Sequence, residues 1–256
     1  MFMYRLEISY RIVFQTPLHI GSGKGGSLID RKVLKDRDGR PFLPGSTIKG
    51  CCRYAAERLA ATLGFENIAD PHQDWPLERL YIAPSPYLID RLFGSKSQGD
   101  RLYFSNATPE EEEIEYEVIT RNMYDRVART AIAGHLYSTE QVPPLAFRGR
   151  ILAIHPKEHL YPAYDDGLDK IALAREPWPF EYSLLLASLL ALERMGGGKS
   201  HGLGRLNVDR DQLSIQFQGE KVESSELSPL LKALKMAQFE PEKRAEDNLK
   251  ELKELD

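Results

Sequence analysis

Between Met195 and Leu206, five of twelve residues are glycine, at 196, 197, 198, 202 and 204, with Lys199, Ser200, His201 and Arg205 set among them. Glycine accepts positive φ and lets a main chain approach a ligand with no Cβ in the way, at a cost in backbone entropy. Successive amides in such a turn form a concavity suited to an anion, and phosphate is the anion to expect. A second cluster, Gly21, Ser22, Gly23, Lys24, Gly25 and Gly26, offers similar chemistry. A third candidate lies between them. Ser46, Thr47, Lys49 and, one turn on, Arg53 stand at the start of a helical stretch, where free amides and the macrodipole favour negative charge. The alternative there is a solvated helix start with a surface Lys and Arg.

Two familiar phosphate loops fit poorly. A nucleotide-triphosphate loop needs a glycine, four residues, then Gly-Lys-Ser between a strand and a helix. Gly198-Lys199-Ser200 supplies the end, but Glu193 stands where the first glycine belongs, and this loop follows a helix and precedes a strand. Gly21 to Gly26 satisfies the dinucleotide fingerprint formally, and a nucleotide-binding enzyme using it is one reading. That fingerprint must open a helix, whereas Ser27 to Lys35 has no 3.6-residue period and ends in the turn Asp36 to Pro41.

The elements that must position these residues follow from periodicity. Alternation predicts a strand over Tyr4 to Ile20 and a hairpin over Asp30 to Leu43. A helix is expected over Ile48 to Leu63, capped by the Ser46 and Thr47 hydroxyls and stopped by Gly64. Residues 65–100 carry four prolines and read as an inserted loop region before a strand at Arg101 to Ala107. Residues 114–121 alternate again. Asn122 to Pro144 is a polar protrusion with aromatic and basic residues interleaved, and a strand returns at Leu145 to Ile154. After the irregular stretch His155 to Pro179 come a helix over Phe180 to Met195, the terminal glycine loop and a strand entering at Gly204. Two strand-helix-strand units in succession point to an α+β, ferredoxin-like (RRM-like) fold with insertions. The domain expected is residues 1–218, with insertions at 65–100, 121–144 and 155–179. A charged helical tail over 219–256 carries Leu249, Leu252 and Leu255 at three-residue spacing.

Composition sets outer bounds. At 256 residues, 42% hydrophobic and 28% charged, the chain is of ordinary globular type and long enough for a full core. No apolar run reaches membrane-spanning length and Met1 to Arg5 opens no signal-peptide core, so a cytoplasmic protein with no membrane contact is expected. Cys51 and Cys52 are adjacent and read as helix core. His155 and His159 would need two further ligands to hold zinc, so no metal site is assigned to them. The net charge of −4 is unevenly spread. Residues 19–53 carry +5, residues 119–150 carry +3 and residues 193–210 carry +2, leaving −14 elsewhere, much of it in Glu110 to Glu117 and the tail. Such segregation suits a basic groove on an acidic body, and equally a scatter of basic turns.

Several segments in this order resemble the RAMP superfamily of CRISPR-associated proteins: Thr16–Gly23 (TPLHIGSG), Ile29-Asp30, Pro41–Gly50 (PFLPGSTIKG), Leu92–Gly94 (LFG), Arg101–Ala107 (RLYFSNA) and the glycine-rich end. Within it, Thr120–Ala131, running on to Leu136-Tyr137 and Glu140–Pro143, is similar to the thumb of the type III effector backbone subunit. The resemblance implies an RRM-like palm with an inserted thumb hairpin and lid segments. It also implies a subunit that stacks along a CRISPR guide RNA, beside further copies of itself or related RAMP subunits, a large effector subunit and a small helical subunit.

The resemblance gives the residues roles. Gly21, Ser22, Lys24, Ser46, Thr47, Lys49, Arg53, Gly197, Gly198, Lys199, Ser200, His201 and Arg205 would hold phosphates, while Arg121, Tyr124, Arg126 and Arg129 would meet bases. Asp30 falls where family backbone subunits carry an aspartate implicated in cutting complementary target RNA. It would orient a divalent cation, Mg or Mn, or help deprotonate the attacking 2′-hydroxyl, with no organic cofactor. It could instead merely start a hairpin or pair with Arg31 or Lys32, which replace the family's commoner small or proline-containing pair. A non-cutting structural subunit would use the same groove. His19 suggests a repeat-processing endoribonuclease, although its motif is shared with non-cutting members. Asn106 stands where aspartate is more frequent and is expected to cap a turn.

Overall fold

The computed structural model describes residues 2–26, 28–65, 87–95, 99–163 and 170–235. Its central element is β1 (Met3–Phe14), whose alternating pattern buries Tyr4, Leu6, Ile8, Tyr10, Ile12 and Phe14 on one side. One edge of β1 pairs along almost its whole length with β6 (Ala146–Pro156), from Met3 opposite Pro156 to Val13 opposite Ala146. Its other edge is shared. β10 (Ser214–Phe217) takes the first half and β9 (Leu206–Val208) the second. β2 (Leu102–Phe104) and β3 (Thr108–Pro109) occupy the far edge of β6, and β11 (Glu220–Val222) closes a hairpin with β10. Every ladder in this sheet is antiparallel, in the order β11-β10-β1-β6-β2.

The connections after β1 and β6 are helical. α1 (Gly45–Thr62) lies between β1 and β2 in sequence, and α3 (Phe180–Leu190) between β6 and β9. A short α2 (Leu88–Phe93) packs on both. α1 turns Ile48, Cys52, Ala56 and Ala60 into a core shared with β1 and with Leu185 and Leu189 of α3. α3 is apolar on most sides and correspondingly buried between the sheet, α1 and α4 (Ser224–Lys232). Arg91 of α2 donates to Glu181 of α3 at 2.8 Å with both side chains at most 1% exposed, which fixes α2 in place. The mixed α/β content, antiparallel sheet and strand order are compatible with the ferredoxin-like expectation.

Several boundaries differ from expectation for physical reasons. β1 stops at Phe14 because Pro17 has no N–H to continue a ladder. The chain then changes partner, and Leu18 bridges Val142. α1 begins at Gly45 with Pro44 at its cap, so Ser46 and Thr47 are first-turn residues and neither hydroxyl caps the helix. The amide of Gly45 is satisfied instead by Asn106 Oδ1 at 3.0 Å, and a Cβ on Gly45 would stand 2.1 Å from the Phe104 carbonyl oxygen. α3 ends at Leu190, short of Met195. The protrusion expected from 121 is a two-stranded hairpin of β4 (Glu117–Asp125) and β5 (Thr130–Gln141). Within the third insertion, β7 (Ala172–Leu173) and β8 (Glu176–Pro177) pair, while residues 164–169 lie outside the described residues, as does most of the 65–100 insertion. The tail opens with strand β11 rather than a helix, and Leu249, Leu252 and Leu255 fall outside the described part. No described helix is long and apolar enough to cross a membrane.

Candidate nucleic-acid interface

The two glycine clusters, 175 positions apart at Gly21 and Gly196, come together around His19, whose ring lies against both Gly21 and Gly197. Gly197 donates to the His19 carbonyl at 2.7 Å, Gly204 to the Pro17 carbonyl at 2.8 Å, and the Arg205 amide to Thr16 Oγ1 at 2.9 Å. On its other side the same strip is held by the paired amides and carbonyls of Leu18 and Val142, at 2.8 Å each. Residues 16–21 therefore run between the terminal glycine loop and the root of the β4–β5 hairpin.

Some of the glycines make way for the protein rather than for a ligand. Gly204, at φ +72°, would bring a Cβ to 1.9 Å from the Met195 carbonyl oxygen, and Gly196, at φ +93°, to 2.7 Å from that of His19. Gly198 and Gly202, both left-handed, bracket a single 3₁₀ turn, Lys199–His201, whose three side chains are exposed. Gly23 and Gly202 have open space where a Cβ would be, so these two leave backbone accessible. The Ser22 amide, expected to face phosphate, donates to the Lys32 carbonyl at 2.9 Å, and Gly21 bridges Val33. The first glycine cluster thus leads into paired extended chain, not into the helix a dinucleotide site requires.

Helical geometry separates the cations expected on α1. At about 100° per residue, Thr47, Cys51, Tyr54 and Arg58 share one face, while Lys49, Arg53 and Glu57 share another. The first face lines a groove of about 780 Å³ whose other wall is Ala191, Leu192, Glu193, Arg194 and Lys199, with Ser46 and Thr47 at one end. Lys49 and Arg53 do not reach it. Lys49 pairs with Asp100, and Arg53 pairs with Glu57 at 3.0 Å and donates to the Gly94 carbonyl at 2.9 Å, so these two hold the helix to its neighbours. By contrast, none of Arg58, Arg194, Lys199 or Arg205 forms an ion pair with a described carboxylate. Tyr54, Arg58 and Arg194 did not emerge from the sequence, although the spacing of four, three and four from Thr47 through Cys51 and Tyr54 to Arg58 was readable there.

Asp30 is anchored to the hairpin. Its Oδ2 accepts from the Ser138 amide at 2.7 Å and the Ser138 hydroxyl at 3.0 Å, and its own amide donates to Ser138 Oγ at 3.1 Å. The Ser138 amide, then its hydroxyl, holds the Asp30 carboxyl below the usual carboxylate range. Asp30 pairs with neither Arg31 nor Lys32; the Arg31 guanidinium lies 5.5 Å from the centre of the Tyr137 ring. Next along, Glu140 accepts from the Val33 amide at 2.9 Å and Lys35 Nζ at 2.7 Å. Burial alone would push its carboxyl up, but Lys35 and that amide outweigh burial and hold it low. The Glu140 carbonyl lies 2.8 Å from Nδ1 of His19, which must therefore carry a proton there. His19 is 9% exposed, with its ring between Gly21 and Gly197.

The thumb residues are not gathered with the glycine loops. Arg121 stands opposite Tyr137 and Tyr124 opposite Ala131, with the register broken between Asn122 and Tyr124, near Gly134 at φ +76°. Arg126 and Arg129 form the tip, where Asp125 Oδ1 accepts from the Val127 amide at 2.8 Å and the Ala128 amide at 3.1 Å. At about 3.3 Å per residue the tip is roughly 25 Å along the ribbon from the root. Tyr124 and its neighbour Met123 are each more than half exposed.

The donors for a resident Mg or Mn ion are not assembled among the described residues. Among the described residues no three of His, Cys, Asp and Glu are grouped to hold a metal, and one oxygen of Asp30 is committed to Ser138. His155 is fully buried between the Tyr182 hydroxyl, 3.1 Å away, and the Leu92 carbonyl at 3.3 Å.

An antiparallel α+β body that brings two distant glycine loops near cations with no ion-pair partner among the described residues has the chemistry to hold a polyanion. The model of the RAMP superfamily matches residues 11–207, and the chain belongs to that superfamily, whose CRISPR-associated members generally act with RNA and other subunits. The match spans from β1 to β9 and includes both glycine loops and the hairpin. No curated protein matches the chain.

Proposed function

We propose that this chain is a guide-RNA-binding backbone subunit of a type III CRISPR ribonucleoprotein, acting in the cytoplasm, and that it cuts target RNA paired to the guide. The observation that carries the reading is the convergence of the two glycine loops on residues 16–21, beside the hairpin whose Ser138 holds Asp30. RNA phosphates follow the exposed Lys199–His201 turn, Arg205 and Lys24, and base pairing reads the sequence, so no base-specific side chains are required. Arg121, Tyr124, Arg126 and Arg129 carry the hairpin's contacts to bases or to a neighbouring subunit. Copies of the chain, related RAMP subunits, a large effector subunit and a small helical subunit complete the assembly.

Asp30 is ionised at neutral pH, with one oxygen held and the other left to act. In the cleavage step it accepts the 2′-hydroxyl proton while that oxygen attacks the adjacent phosphorus. The bond to the 5′-oxygen breaks and that oxygen takes a proton from solvent, leaving a 2′,3′-cyclic phosphate and a 5′-hydroxyl. A structural, non-cutting subunit is the second reading, favoured by the three hydrogen bonds between Asp30 and Ser138, which suit a latch for the loop equally well. The test is cleavage of guide-complementary RNA by complexes assembled with the native chain or Asp30→Ala. Loss of cutting with RNA still bound supports the catalytic reading; equal cutting removes Asp30 from the mechanism. A native complex that purifies without RNA would overturn both.

A further inference from the structure

The groove beside α1 combines features that neither a helix surface nor a phosphate loop alone requires. Tyr54 presents its ring at 63% exposure inside a concavity of about 780 Å³, a size suited to a nucleotide. The Arg58 guanidinium lies over one face of that ring, 5.8 Å from its centre, which leaves the opposite face for a base. Across from Tyr54, Arg194 and Lys199 supply two cations against the single Glu193, and the Arg194 guanidinium is braced at 2.7 Å on the Lys199 carbonyl. The floor is apolar, from Ala55 and Leu59. An exposed aromatic face next to cations is the combination by which proteins bind single-stranded nucleic acid, the ring taking a base and the cations the flanking phosphates.

We propose that this groove is a nucleotide subsite for single-stranded RNA, with a base stacked on Tyr54 and its phosphate held by Lys199 and Arg194. It rests on the RNA-binding reading above and adds a residue, Tyr54, that the glycine loops do not imply. The subsite is tolerant of sequence, because every base has a stacking face and the groove wall offers Ser46 and Thr47 hydroxyls rather than a fixed base-reading pattern. The occupant is RNA rather than a protein because the charge is cationic and has no ion-pair partner among the described residues, while the floor is too small an apolar area to anchor a partner chain.

The experiment is fluorescence anisotropy of a labelled single-stranded RNA oligonucleotide with the full chain, over a series of salt concentrations. Tyr54→Ala should weaken binding by about 5- to 150-fold and leave the slope of log affinity against log salt unchanged, while Tyr54→Phe stays near native. Lys199→Ala should reduce the magnitude of that slope by about 0.7. An oligonucleotide lacking bases should bind the native chain and Tyr54→Ala alike. If Tyr54→Ala binds RNA as tightly as the native chain, the subsite is refuted and the RNA-binding reading stands. If the variant weakens the base-less strand equally, stacking is refuted. If Tyr54→Ala instead loses association with its companion subunits at unchanged RNA affinity, the groove is a protein contact and the proposal fails. A native chain that binds no RNA removes the proposal together with the reading beneath it.

Discussion

Gly202 and Gly204 offer a matched pair, because both are left-handed, at φ +88° and +72°, and differ in what surrounds them. Alanine at Gly202 meets nothing within 4 Å, so its cost is the left-handed backbone alone, roughly 1–2 kcal/mol. Alanine at Gly204 carries the same backbone cost and adds a Cβ at 1.9 Å from the Met195 carbonyl oxygen. The loop must move, which weakens the bond from Gly204 to the Pro17 carbonyl at 2.8 Å and that from the Met195 amide to the Gly204 carbonyl at 2.9 Å. At about 0.5–1.5 kcal/mol per bond, the extra loss is about 1–3 kcal/mol. For a chain of this size that is a further fall in Tm of roughly 2–12 °C beyond that of Gly202→Ala. Thermal unfolding followed by circular dichroism measures both variants. RNA affinity taken well below both midpoints should fall more for Gly204→Ala, since one of the three bonds tying the terminal loop to residues 16–19 is disturbed. Equal midpoints for the two variants would show that the loops are not packed as described.

Two further outcomes follow from titrating groups. Burial pushes the His155 imidazole down to about 4 from its ordinary 6.5, so the folded chain keeps it neutral where the unfolded chain takes up a proton. The associated stability is present in full above pH 6.5 and is lost as pH falls from there toward 4, about 3 kcal/mol in all. Urea unfolding at pH 7 and 4.5 should show a smaller acid loss in His155→Phe than in the native chain, and an equal loss in both would contradict this. At Asp30, Ser138→Ala removes the hydroxyl but keeps the amide, so the carboxyl should titrate at a higher pH than in the native chain while staying short of a free aspartate. Side-chain carboxyl NMR reads this directly, and an unchanged titration would mean the hydroxyl does not hold the carboxylate.

Periodicity made β1 and α1 legible from residues alone, because a strand repeats every two residues and a helix every 3.6 whatever lies around it. The glycine clusters were equally plain, and at Gly23, Gly196, Gly198, Gly202 and Gly204 the backbone is left-handed, a conformation that favours glycine. Partners were not. Lys49 and Arg53 look like free cations in a helix's first turns, yet they meet Asp100, 51 positions on, and the Gly94 carbonyl, 41 positions on. Asp30 reads as a hairpin residue with Arg31 and Lys32 beside it, but its carboxylate is held by Ser138, 108 positions away. Tyr54 becomes part of a groove only because the end of α3 packs across α1 and brings Arg194 and Lys199 opposite it. Local spacing determines which side of an element a residue occupies, through backbone geometry that short stretches settle for themselves. What that side meets depends on burying the apolar faces of distant elements together, and that packing sets each charge's neighbour.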